Sequence, residues 1–74
     1  MFTGGFYETT ESGFILEVHD CDDGYDFTVY DYDLKELDGG ILETEDWLEE
    51  NFVVKECYAM VDIHENYKRI KDLW

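Results

Sequence analysis

The run Phe14-Ile15-Leu16-Glu17-Val18-His19-Asp20-Cys21-Asp22-Asp23-Gly24-Tyr25-Asp26-Phe27-Thr28-Val29-Tyr30 decides the fold. Phe14, Leu16 and Val18 recur every second residue, the spacing that puts side chains on one face of a strand. Phe27 and Val29 do the same after the turn, with Thr28, Tyr30 and Tyr32 on the other face. Between the two runs, Asp23-Gly24 signals a tight hairpin, because glycine accepts positive φ at little cost. The spacing predicts antiparallel strands over 14–20 and 25–32.

The rest follows outward from this hairpin. Phe6-Tyr7 lies between Gly4-Gly5 and the turn-rich Thr9-Thr10-Glu11-Ser12-Gly13, which suits a short edge strand and a turn. Downstream, Asp33-Leu34-Lys35-Glu36 turns the chain into a third strand over 37–42, where Gly39-Gly40 suggests a bulge. Thr44 is placed to cap a short helix over 45–51, with Trp47 and Leu48 towards the sheet. Residues 53–61 alternate as a fourth strand. Asp62 and Glu65 have the spacing of a capping box, opening a second helix with Tyr67, Ile70, Leu73 and Trp74 as its apolar stripe. Lys68, Arg69 and Lys71 fall near its carboxyl end. The expectation is one α+β domain over 1–74: a three- to four-stranded, mainly antiparallel sheet with two short helices on one face, in the order β(β)ββαβα. The uncovered face carries Glu17, His19, Thr28, Tyr30 and Tyr32.

Composition agrees with a folded chain. Its 74 residues allow a single thin core, and 18% aromatic residues are more than disordered acidic tails contain. Charge is the exceptional feature. Residues 1–54 hold sixteen acids and one base, Lys35, whereas residues 55–74 hold four of each. Crowding on this scale destabilises the compact state and favours carboxyls that hold protons more tightly than usual. Such a surface does not bind nucleic acid directly, which takes Lys and Arg, and it is repelled by anionic membranes. No run approaches the ~20 apolar residues of a membrane span and no leader-like stretch is present. With two cysteines and no CxxC, the reading is a cytoplasmic protein whose Cys21 and Cys57 are reduced and largely structural.

Motifs for chemistry are absent. An EF-hand loop begun at Asp31 puts Lys35 and Glu36 where an oxygen ligand and glycine belong, and one begun at Asp20 meets its glycine a place early. His19 with Cys21, and Cys57 with His64, lack the paired spacing of zinc sites. Ser12 is the one serine and sits in a turn, and Gly39-Gly40 has no phosphate-loop spacing. No catalytic residue, metal or cofactor is expected, and the chain is read as a non-enzyme.

What remains is an acidic, aromatic surface. The expected partner-binding residues are Asp20, Asp22, Asp23, Asp26, Tyr30, Asp31, Tyr32, Asp33, Glu36, Asp38, Glu45, Asp46, Glu49 and Glu50. Carboxylates at this density approach the charge spacing of duplex DNA, and interleaved tyrosines are frequent interface anchors. With Glu43 added to its carboxylates, this stretch resembles the small nucleic-acid-mimicking inhibitors of phage and mobile elements, the anti-CRISPR and anti-restriction proteins. The likeness is one of size, charge and β/α order, over about residues 20–50, with no shared motif. It implies a protein that blocks the basic cleft of a nuclease or another nucleic-acid-binding protein. The near-neutral carboxyl-terminal segment then serves structure or joins two copies in a homodimer. The competing reading is a small acidic adaptor that binds a protein through the exposed aromatic sheet face.

Overall fold

The computed structural model describes residues 2–46 and 48–70. Five strands, β1 (Gly4–Thr9), β2 (Ile15–Cys21), β3 (Gly24–Tyr30), β4 (Glu36–Glu43) and β5 (Tyr67–Ile70), form one antiparallel sheet in the order β4-β3-β2-β1-β5. A single helix, α1 (Glu50–Met60), crosses one face. Strands take 47% of the described residues and the helix 16%, so the domain is mostly β. This corrects the expected sheet with two helices.

The central hairpin stands as read, with Cys21 opposite Gly24 and a two-residue connection between them. Leu16, Val18, Phe27 and Val29 are buried on the helix side, joined there by Tyr7 and Tyr25. β1, expected at an edge, lies inside the sheet between β2 and β5. The irregularity of β4 sits at Leu37, the unpaired residue between the Tyr30–Glu36 and Val29–Asp38 pairs, and not at Gly39-Gly40.

After Thr44 the expected elements are exchanged. The Thr44 hydroxyl accepts the Asp46 N–H at 3.1 Å in a local turn, and no helix spans 45–51. Leu48 packs against the core, while Trp47 lies outside the described residues. Residues 53–61 are helix where a strand was expected. Val53, Val54, Cys57 and Tyr58 recur at i, i+1, i+4 and i+5, an apolar stripe on one side of a helix, and all four are buried. Burying each large member of that stripe contributes about 1.5–3 kcal/mol, enough to override the strand preference of valine and tyrosine.

The helix ends in a Schellman motif: Ile63 N–H donates to the Tyr58 carbonyl (2.9 Å) and Asp62 N–H to that of Ala59 (3.0 Å). Asp62 holds the left-handed position at φ 61°, usually a glycine's place, so it closes α1 and opens nothing. Glu65, its expected capping partner, accepts instead from the Ser12 N–H (2.9 Å) and hydroxyl (2.6 Å). Tyr67–Ile70 then pairs with β1 as β5, where a second helix was expected. Lys71, Leu73 and Trp74 lie outside the described residues.

Two substitutions test these turns. Gly24 has φ 142°, and a Cβ there would lie 2.1 Å from the Leu42 carbonyl oxygen. Gly24→Val should therefore lower the unfolding free energy by at least about 2 kcal/mol in denaturant titration. Asp62→Gly should raise it by about 1 kcal/mol, since it relieves left-handed strain and removes an anion from the negative end of the helix.

Candidate functional site

Antiparallel register sorts the polar side chains between faces. Glu17 pairs with Phe6 and Thr28, and His19 with Gly4 and Asp26, on the side away from α1. Tyr30 lies on the same side, opposite Ile15 and Glu36. The Tyr30 hydroxyl donates to Glu17 Oε1 at 2.8 Å, and His19 Nε2 lies 2.5 Å from Glu17 Oε2. Partial burial works against ionisation of Glu17, but these two hydrogen bonds prevail and hold its carboxyl below the ordinary range. The same bond to Glu17 pushes the Tyr30 hydroxyl above its usual value. Tyr32, 66% exposed, lays its ring over Gly13, where a Cβ would come within 2.2 Å of the ring.

The acids fall into three groups. Asp22, Asp23, Glu43, Glu45 and Asp46 line a groove of about 750 Å³ at the tip of the β2–β3 hairpin, together with Cys21, Thr44 and Tyr25. Asp20 immediately precedes this tip on β2. Cys21 is thus exposed and not the structural thiol expected, whereas burial pushes the Cys57 thiol up to about 12. At the other end of β3 lie Asp31, Tyr32, Asp33 and Glu36. Asp31 builds the turn itself, its Oδ1 accepting the N–H groups of Asp33 (2.9 Å) and Lys35 (3.0 Å). Asp26 and Asp38 lie between the two ends, on β3 and β4.

Glu49 and Glu50 are not brought into this array. They start α1, and the Glu50 carboxylate accepts the Tyr7 hydroxyl at 2.6 Å and lies 2.5 Å from Arg69 Nη1. Burial, then Glu50, push the Tyr7 hydroxyl well above its ordinary value. This node joins residues 43 and 19 positions apart in sequence, and no local pattern announces it.

Segregation of charge is the result. Residues 20–46, the half of the sheet built on β3 and β4, carry eleven carboxylates and one cation, Lys35. Asp26 on β3 and Glu36, Asp38 and Glu43 on β4 are the four on these strands, about one per 6 Å of a strand roughly 23 Å long, and the other seven lie at the end of β2, in the turns and after β4. Duplex DNA carries about one charge per 1.7 Å. Lys68 and Arg69 sit on the opposite edge, β5, engaged with Glu8 (3.5 Å) and Glu50. Among the described residues no group of three or more metal-ligating side chains is gathered, and no helix is long and apolar enough to cross a membrane.

Crowding does not raise the carboxyls whose titration is displaced: Glu17 and Glu65 both move downward, because hydrogen bonds to their ionised forms outweigh desolvation. A lowered folded-state value stabilises the fold above the unfolded value, 4.5, and that contribution is lost as pH falls through the folded value. Glu17→Gln should therefore be less stable than the parent near pH 7, with the gap closing below about pH 4.5. Paired melting curves from about pH 7 to about pH 3 check this; a constant gap would show that the ionised carboxylate contributes nothing.

Residues 5–68, most of the chain, match the family model of large polyvalent protein-associated domain 16, and the chain belongs to that family. The family is one of phage and mobile-element associated domains. No curated protein and no solved structure matches the chain.

Proposed function

We propose that this domain binds a basic, nucleic-acid-binding protein, such as a nuclease, by presenting its β3–β4 half in place of a nucleic-acid backbone. The observation that carries this reading is the charge array: eleven carboxylates against one lysine over residues 20–46. A mobile-element family supplies a setting in which host nucleases are natural targets. Long-range attraction would make association fast and salt-sensitive, while Tyr30 and Tyr32 would supply area that loses water on contact.

The second reading, an adaptor that docks through the uncovered sheet face, draws on Tyr32 and Ile41, 66% and 48% exposed. Salt separates the two, since an apolar contact holds where a charge-led one weakens.

Charge reversal at Asp22, Asp26 and Asp33 together should slow association by about tenfold or more and flatten its salt dependence. These three accept no side-chain hydrogen bond that the turns require, unlike Asp31. Neutralising Lys55 and Lys68 should change little. The measurement is a binding series against a purified basic nuclease from low to high salt, with duplex DNA as competitor. Affinity that neither falls with salt nor yields to DNA would exclude mimicry and leave the adaptor.

A further inference from the structure

The two edges of the sheet are not equivalent. Both cations on the described residues of β5, Lys68 and Arg69, are engaged by carboxylates of this chain. β4 is eight residues long and closes the other end of the strand order, with no described strand beyond it. Antiparallel pairing makes successive residues of an edge strand face inward and outward by turns. The phase is set by Thr44, whose N–H donates to the Asp23 carbonyl at 3.0 Å. Stepping back by twos, Leu42, Gly40 and Asp38 turn their backbone groups to β3. Glu43, Ile41 and Gly39 turn theirs to the outside. The Gly39 N–H is taken by Asp38 Oδ1 at 2.8 Å, which leaves Ile41 and Glu43 as the outward donors.

The surroundings of this rail suit a second strand. Gly39-Gly40 puts no side chain over its middle on either face. Ile41, 48% exposed, flanks it on the uncovered face, and Met60, 51% exposed, comes within 4.0 Å of a Cβ built at Gly40 on the helix face. Glu36, Asp38 and Glu43 place carboxylates along it, with no cation on the strand. These charges repel a second β4, so the edge is set against pairing with its own copy. They attract a cationic strand.

We infer that β4 is a docking edge that accepts, as a sixth strand, an extended segment of another protein bearing lysine or arginine at alternate positions. This is independent of nucleic-acid mimicry: a basic cleft needs no backbone rail, and an added strand needs no phosphate spacing. Backbone hydrogen bonds would give the affinity, and the carboxylates of β4 the preference for basic side chains.

A panel of ten-residue alternating Lys/Val and Arg/Thr peptides, each paired with a version N-methylated at every second residue, tests the inference. N-methylation keeps the charge and removes the donors. The unmodified peptides should bind and slow amide exchange at Ile41 and Glu43, with the N-methylated versions about tenfold weaker or worse. Ile41→Pro, which removes an outward donor at an edge where proline is tolerated, should weaken binding to a similar degree with the circular dichroism spectrum retained. If that variant unfolds, the N-methylated peptides and the exchange pattern still decide. Equal binding by both versions would reduce the effect to charge alone, and no binding across the panel, or protection elsewhere, would equally overturn the inference.

Discussion

Packing of Val53, Val54, Cys57 and Tyr58 against one face of the sheet is the interaction on which the structure depends. A five-stranded sheet with nothing on its faces has no core, and this chain has eleven helical residues with which to make one. That economy has consequences. Among the described residues only one face is covered, and on the other the Tyr30–Glu17–His19 cluster supplies side-chain hydrogen bonds. The helix must also be anchored at both ends to be worth its entropy. Glu50 fixes its start to Tyr7 and Arg69, and the Tyr58 hydroxyl fixes its last turn to the Phe14 carbonyl at 3.1 Å.

The same anchoring explains where the charge goes. A net of −15 on 74 residues is tolerable only if the carboxylates are separated or satisfied. Near the helix and β5 they are satisfied: Glu50 by Arg69 and Tyr7, Glu8 by Lys68, Glu65 by Ser12. In the β3–β4 half most are exposed to water, and five of them line one groove at the hairpin tip. Lys68 and Arg69 are thus engaged at the β1–β5 edge, and residues 20–46 keep one lysine against eleven carboxylates. A surface of that kind carries a repulsive cost.

How much of this was legible in the sequence differs along the chain. The hairpin over β2 and β3 was, because alternation and Asp-Gly are local signals that tertiary packing reinforces. After Thr44 the reading failed at each element. Val53, Val54, Tyr58 and Val61 favour strands, and that preference masks the helical stripe of Val53, Val54, Cys57 and Tyr58 at i, i+1, i+4 and i+5. Asp62 and Glu65 have the spacing of a capping box and Tyr67, Ile70 and Leu73 that of a helical stripe, yet Tyr67–Ile70 is a strand. Only the contacts settle the exchange: β5 exists because β1 offers it an open side. In the site, the acids of residues 20–46 were legible as a run of charge. Their sorting into a hairpin groove, a turn-building Asp31 and a Glu50 committed to the core was not, since each depends on partners distant in sequence or on backbone geometry.

The unequal edges are best understood from the same constraint. A sheet that cannot close into a barrel must leave two edges, and each is a pairing hazard unless managed. Here the described part of β5 is managed by internal ion pairs. β4 has the bulge at Leu37 and its carboxylates as protection, yet it keeps two adjacent glycines, exposed Ile41 and a length of eight residues. Protection by charge alone is selective: carboxylates exclude strands of the same sign, including every other copy of this chain, and admit strands of the opposite sign. In the proposed docking, an edge blunted in this way disfavours a second copy of itself and accepts a strand of opposite charge.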